Sequence, residues 1–173
     1  MEAPIIAGVA HDRSEAKITV VGVPDEAGKA ADIFTAVADA GINIDMIVQN
    51  VSAAATGLTD ISFTLPSSDG PKAVQRLQSL RGQIGFDELR FDDEIGKLSL
   101  VGAGMRTNPG ISAKLFRALA DAGINIEMIS TSEIRISVVT RADQLDAAVR
   151  AAHTAFDLDS AEGEAIVYGG TGR

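Results

Sequence analysis

The sequence predicts an α+β protein of two β-α-β-β-α-β units, each an antiparallel sheet with helices on one face. Three observations carry that expectation. The 173-residue chain repeats itself: residues 38–47, Ala-Asp-Ala-Gly-Ile-Asn-Ile-Asp-Met-Ile, recur at 120–129 with Asp45 replaced by Glu127. Each copy starts in a helical apolar pattern and runs into alternating apolar and polar positions, the order of a helix followed by paired strands. Hydrophobic residues make up 46% of the chain and charged residues 23%, so each unit has apolar side chains enough for a core. Two copies are too few for a solenoid and point to a pseudo-symmetric pair.

The repeat extends beyond the shared block. An offset of 82 also places Gly28 on Gly110, Ile33 on Leu115, Phe34 on Phe116 and Val37 on Leu119. Upstream, residues 17–22 match 97–102 at an offset of 80, and downstream 60–63 match 135–138 at 75. The second unit therefore has two more residues in its first loop and seven fewer in its middle hairpin.

The elements follow in order. Residues 17–22 alternate as a half-buried strand. Residues 29–40 place Ile33, Phe34, Val37 and Ala38 at helical spacing, and Gly41 stops the helix. Residues 42–51 form the second strand. Gly57 turns the chain into 59–65, where Ile61, Phe63 and Leu65 share one face and Asp60, Ser62 and Thr64 the other. Asp69-Gly70-Pro71 opens a second helix with Pro71 in its first turn and Val74, Leu77 and Leu80 as its buried stripe. Residues 86–91 close the unit. In the second unit Asn108-Pro109 caps the first helix and Thr140 with Asp143 forms a capping box for the second. Residues 165–168 are its last strand. Residues 4–10 lie outside the repeat and read as an extra strand, with 11–16 as a linker.

Composition excludes whole classes of function. Net charge is −9, from 15 Lys and Arg against 24 Asp and Glu, and aromatics are 4%. An acidic chain poor in stacking side chains is a poor partner for nucleic acid or an anionic membrane surface. No apolar run approaches the roughly 18 residues of a membrane span. With no cysteine there is no disulfide, thiolate metal site or cysteine nucleophile. The N-terminus lacks the basic-then-apolar order of a signal peptide, so the expected location is cytoplasmic.

No motif supplies a complete active site. Gly102-Ala-Gly104 follows a strand, but Thr107 stands where a dinucleotide fingerprint has its third glycine, and two adjacent strands follow without a crossover helix. His11 and His153 have no triad or metal partners at suitable spacing and read as solvated. The acidic run 87–94 reads as a surface hairpin. Better candidates are the two β–α turns, which end in Gly28 and Gly110. Free N–H groups and the positive dipole end of a helix favour a carboxylate there. Asp25 can accept from an ammonium or hydroxyl group, or it can simply cap the helix. Asn43 and Asn125, at repeated helix–strand junctions, serve either as turn residues or as amides beside a strand edge.

The glycine-ended turns in a tandem β-α-β-β-α-β pair resemble the ACT domain, a small-molecule sensing module. The second unit is more specific. Val101-Gly-Ala-Gly-Met105, Pro109-Gly110, Asn125-Ile126 and the stretch 129–137, with 43–46, 49–51 and the ending 167–173, together resemble the regulatory region of aspartate kinase. The resemblance covers the whole chain, without the family's N-terminal kinase domain; starting at Met1, the chain resembles a separate regulatory β subunit, and an excised regulatory domain would look identical.

That resemblance implies two ferredoxin-like ACT domains packed side by side: domain 1, residues 17–93, inserted into domain 2, residues 1–16 with 97–173. It implies a non-catalytic subunit without cofactor or metal, a homodimer when isolated and an α2β2 heterotetramer with the catalytic subunit. Threonine and lysine would bind at ACT–ACT interfaces and jointly inhibit aspartate phosphorylation. On matching positions the threonine site uses Asp25, Gly28, Ala30 and Gln49, with Asn125 and Ile126 from the facing unit, and lysine involves Ser52, Ser112 and Phe116. Ala27, where proline is common, and Thr107-Asn108, where Ser-His is frequent, depart from the family pattern. A free-standing ACT-domain amino-acid sensor controlling another enzyme or transcription is the alternative.

Overall fold

The computed structural model describes residues 5–51, 54–105, 107–158 and 166–169. The chain divides into two compact units, an inserted one of Glu15–Asp93 and a split one of Met1–Ser14 with Glu94–Arg173.

In the inserted unit the elements run β2 (Glu15–Pro24), α1 (Lys29–Asp39), β3 (Ile47–Gln49), β4 (Leu58–Pro66), α2 (Gly70–Ser79), a single turn α3 (Arg81–Ile84) and β5 (Glu88–Asp92), after the opening strand β1 (Ile5–Asp12) of the other unit. Its sheet has the order β3-β4-β2-β5, and every neighbouring pair is antiparallel. Alternation decides which face is buried: Ala16, Ile18 and Val20 of β2 and Ile61, Phe63 and Leu65 of β4 join Ile33 and Val37 of α1 and Ala73 and Leu77 of α2 in one core. Each such large side chain contributes about 1.5–3 kcal/mol by leaving water. Phe34 meets Phe63 edge to face at 5.6 Å, a geometry that adds to the area term. Val74 and Leu80 pack only partly buried beside that core, with Ala73 and Leu77 forming the buried stripe of α2.

The second strand is shorter than the run 42–51. Asp45 N–H donates to the Thr64 carbonyl, the Thr64 N–H donates to the Met46 carbonyl, and Met46 N–H turns to the Thr64 hydroxyl at 3.0 Å. Two residues thus oppose one, and this bulge confines the regular ladder to Ile47–Gln49.

The split unit continues with β6 (Ile95–Ala103), α4 (Gly110–Asp121), β7 (Met128–Thr131), β8 (Arg135–Arg141), α5 (Leu145–Ala155) and β9 (Ile166–Gly169). Its sheet order is β7-β8-β6-β1-β9. Val9, Leu98, Leu100, Ile136 and Val138 face Ile111, Leu115 and Leu119 of α4 and Leu145, Ala148 and Ala152 of α5. The place beside β6 that β5 holds beside β2 belongs here to β1, and β9 lies outside it, parallel to β1. The last strand is therefore not the fourth antiparallel strand of a simple copy of the first unit.

Other local readings change as well. Residues 11–16 are not a linker: β1 continues to Asp12 and β2 starts at Glu15, joined by a turn in which the Asp12 carboxylate accepts from the Ser14 N–H and hydroxyl. The acidic run 87–94 is no hairpin. It is edge strand β5, paired with β2, followed by the connection into β6. Thr140 belongs to β8, is fully buried and donates to the Arg141 carbonyl. One 3-10 turn then precedes α5, which no side chain caps, so the capping box does not form. His153 is half-buried, with its Nε2 shielded and without a partner among the described residues, so it is not a solvated side chain. No helix among the described residues is long and apolar enough to cross a membrane.

Candidate functional site

A recess of about 290 Å³ opens in the inserted unit where β2 gives way to α1. The register between β2 and β4 shifts between Val20 and Val23, so the strand bends just before it ends at Pro24. Three backbone bonds then shape the turn: Asp25 N–H to the Gly57 carbonyl at 2.9 Å, Glu26 N–H to Pro24 at 2.9 Å and Lys29 N–H to Glu26 at 3.3 Å. Gly28 is the N-cap of α1 with φ +95°, a left-handed conformation open to glycine at little cost. Among the described residues no side chain caps this helix end. Asp32 N–H makes the first bond back, to the Gly28 carbonyl at 2.9 Å, which leaves the N–H groups of Ala30 and Ala31 without a helical acceptor.

The lining combines an apolar floor with a polar rim. Val23 and Ile61 are buried, and Thr59 is 3% exposed. Asp25, Gly28, Lys29, Ala30 and Gln49 surround them. Asp25 and Gln49 are exposed, and among the described residues neither side chain has a hydrogen-bond partner. A helix N-terminus accepts a carboxylate, a free aspartate accepts from an ammonium or hydroxyl, and a glutamine amide both donates and accepts. Together with a floor that fits a small apolar group, these are the contacts a small amino acid makes.

Four of the sequence-read residues, Asp25, Gly28, Ala30 and Gln49, thus line one recess. The others lie elsewhere. Asn125 is exposed and Ile126 packs half-buried on the split unit's core. Ser112 and Phe116 lie four residues apart on α4, both half-buried, and so face the same way. Ser52 is outside the described residues. Asn43 and Asn125 are both exposed, and neither side chain has a partner among the described residues, so neither amide ties down its turn.

Sequence reasoning missed Lys29, Thr59, Val23 and Ile61 as lining. The alternation 59-61-63-65 does put the Thr59 hydroxyl on the apolar face of its strand, which is the signal that marks it.

The equivalent turn of the split unit is built differently. The Thr107 hydroxyl and the Asn108 side-chain amide both donate to the Gly104 carbonyl, at 3.1 and 3.2 Å. Asn108 therefore closes the loop rather than capping α4, whose N-cap is Pro109 without a side-chain bond. Gly110 is the first helical residue. Strand β6 before it is flanked on both sides by antiparallel partners, β1 and β8, so Gly102-Ala-Gly104 does not end the parallel crossover strand of a dinucleotide fold.

Comparison with known proteins agrees with this architecture. A family model described as ACT domain matches residues 18–79 and 98–156. The aspartokinase of Mycobacterium tuberculosis is 61% identical over 173 residues, covering 100% of this chain and 41% of the relative. The chain thus spans less than half the length of that relative. Among solved structures, that of aspartokinase alpha and beta subunits is 45% identical with a TM-score of 0.82, covering 88% of this chain and 99% of the other. The regulatory subunit of aspartate kinase from Thermus flavus is 41% identical with a TM-score of 0.82 and the same coverage. The chain belongs to the ACT-domain family and, within it, to the regulatory regions of aspartate kinases.

Proposed function

We propose that the chain is the non-catalytic regulatory part of an aspartate kinase, binding threonine and lysine and passing their joint inhibition to the catalytic subunit in lysine, threonine and methionine biosynthesis. The observation that carries this reading is the recess at the start of α1, lined by Asp25, Gly28, Ala30 and Gln49. The effector carboxylate rests on the α1 N-terminus, its ammonium or hydroxyl on Asp25, and Gln49 reads the remainder. Asn125 and Ile126 complete the threonine site from a facing ACT unit, while Ser112 and Phe116, with Ser52, belong to the lysine site. Association with the catalytic subunit is supported by the likeness to the structure of aspartokinase alpha and beta subunits, and the assembly proposed is α2β2. Binding regulates only if the two arrangements of the assembly differ in effector affinity.

The test is thermal unfolding of the chain with each amino acid, with and without the catalytic subunit. At about 100 times its Kd an effector adds ~2.7 kcal/mol, which for this size raises the midpoint by roughly 5–10 °C. Threonine, alone or with lysine, is expected to give that shift, and Asp25→Asn to remove about half of it or more at the same concentration, because losing a charge-assisted hydrogen bond weakens binding by roughly 1.5–3 kcal/mol. A threonine shift identical in wild type and Asp25→Asn sinks the site assignment; no shift with any amino acid, catalytic subunit present, sinks the function.

A further inference from the structure

We infer that Thr59 is a positioning residue for the recess: its buried hydroxyl holds the Asn50 carbonyl and thereby fixes Gln49 at the recess wall. The inference rests on the effector reading above, but its structural half stands apart from any ligand.

Gln49 sits at an exposed strand end. It is the last residue of β3, an edge strand with three residues in its regular ladder. A strand this short, bonded on one side, is held weakly along its length. Beyond Gln49 two bonds tie the chain to β4. Asn50 N–H donates to the Asp60 carbonyl at 3.1 Å, and the Thr59 hydroxyl donates to the Asn50 carbonyl. The second bond is a side chain standing in for a ladder N–H. Thr59 is 3% exposed, so its hydroxyl is shielded from competing water. It also lines the same recess as Gln49. One side chain therefore closes the floor and anchors the segment that carries the rim amide.

The second copy of the repeat lacks the hydroxyl. At the matched position stands Ile134, 58% exposed. There the Ser132 N–H donates to the Arg135 carbonyl at 2.8 Å, the counterpart of the Asn50–Asp60 bond, and Ile134 has no hydroxyl to add to it. The strand corresponding to β3 starts one residue earlier, at Met128, and ends at Thr131, the match of Gln49, and the middle connection is shorter. The longer hairpin of the inserted unit keeps that backbone bond and adds the Thr59 hydroxyl on the Asn50 carbonyl.

The experiment compares wild type with Thr59→Val, which keeps the volume and removes the donor, and Thr59→Ser, which keeps the donor. Hydrogen exchange of the free chain is read at residues 49–51, and L-threonine binding is read by calorimetry. Thr59→Val is expected to speed exchange at those amides and weaken binding roughly fivefold to tenfold, the size of one uncharged hydrogen bond. Thr59→Ser is expected to restore both. In a Gln49→Ala background Thr59→Val is expected to cost no further affinity, because its effect passes through Gln49. Unchanged exchange in Thr59→Val overturns the inference whatever binds. Faster exchange with unchanged affinity, or an equal loss with and without Gln49, overturns the positioning role. If wild type binds no threonine, the effector reading falls and the exchange result alone decides whether Thr59 anchors β3.

Discussion

The same ten-residue block ends the first helix in both units, yet the turns before those helices differ. In the inserted unit Gly28 adopts φ +95°, no side chain among the described residues caps the helix, and a recess forms. In the split unit Thr107 and Asn108 clasp the Gly104 carbonyl, and Gly110 is already helical. A repeat thus conserves the packing face of its helix while leaving the turn free to diverge, because the core reads Ile33, Val37, Leu115 and Leu119 and the turn faces solvent. The two sheets differ as well. Matched hydroxyl pairs join the first and third strands of each, Thr19 with Ser62 at 2.9 Å and Ser99 with Ser137 at 2.7 Å, but the second pair is buried and the first is half-exposed.

Substitutions at matched positions sharpen or break this comparison. The largest effect is expected in the cores. Phe63→Ala removes a fully buried ring packed on Phe34 and should cost ~3–5 kcal/mol. Val138→Ala, its counterpart, should cost less, since a smaller side chain leaves a smaller cavity. Urea unfolding followed by hydrogen exchange within each unit measures both, and equal costs would deny that the inserted core depends more on its aromatic pair.

Next come the hydroxyl pairs. Ser99→Ala strands the Ser137 oxygen, 5% exposed, at a cost of roughly 1–3 kcal/mol. Thr19→Val leaves Ser62 within reach of water and should stay below about 1 kcal/mol. The same denaturant series decides this, and a larger loss at Thr19 would reverse the ranking.

The glycines should respond in opposite directions. Gly28→Ala forces a left-handed alanine and should lose about 1–2 kcal/mol, although a Cβ there meets nothing within 4 Å. Gly110→Ala has equal space, no positive φ and a helical position, so it should be neutral or gain up to about 1 kcal/mol. Matching losses in thermal melts would contradict the difference in turn geometry.

The smallest effect is electrostatic. Arg13, by a hydrogen bond and then by its charge, holds the exposed Asp146 carboxyl below its ordinary value of 3.8. The folded chain favours the ionised form, so the contribution is complete above the unfolded value and is lost as pH falls through the lowered folded one. Urea midpoints between about pH 5 and 2 should therefore fall slightly less steeply in Asp146→Asn than in wild type. Raised salt should erase the difference.

Much of this is legible in the sequence. The alternation of Ile61, Phe63 and Leu65 marked a buried strand face, and Gly41 after the periodic run marked the end of α1, because both signals are local and set by side-chain spacing. Asp25, Gly28, Ala30 and Gln49 were named from the sequence through a family resemblance, and the structure gathers these four around one recess. The Thr140–Asp143 capping box failed because strand pairing kept Thr140 in β8 and a 3-10 turn intervened. Residues 42–46 failed as a strand because the Thr64 hydroxyl competed for a backbone donor, a contact between residues eighteen apart.

The sequence by itself determined the two-unit α+β architecture, the helices and their buried faces, since these follow from periodicity repeated within a few turns of chain. The tertiary structure alone decided that β1 takes the place beside β6 and that β9 lies outside it in parallel. It alone decided that Thr59 joins Gln49 at one recess. Strand partners and recess walls are chosen by competition among distant segments for the same backbone donors and apolar surface, and no local pattern records which segment wins.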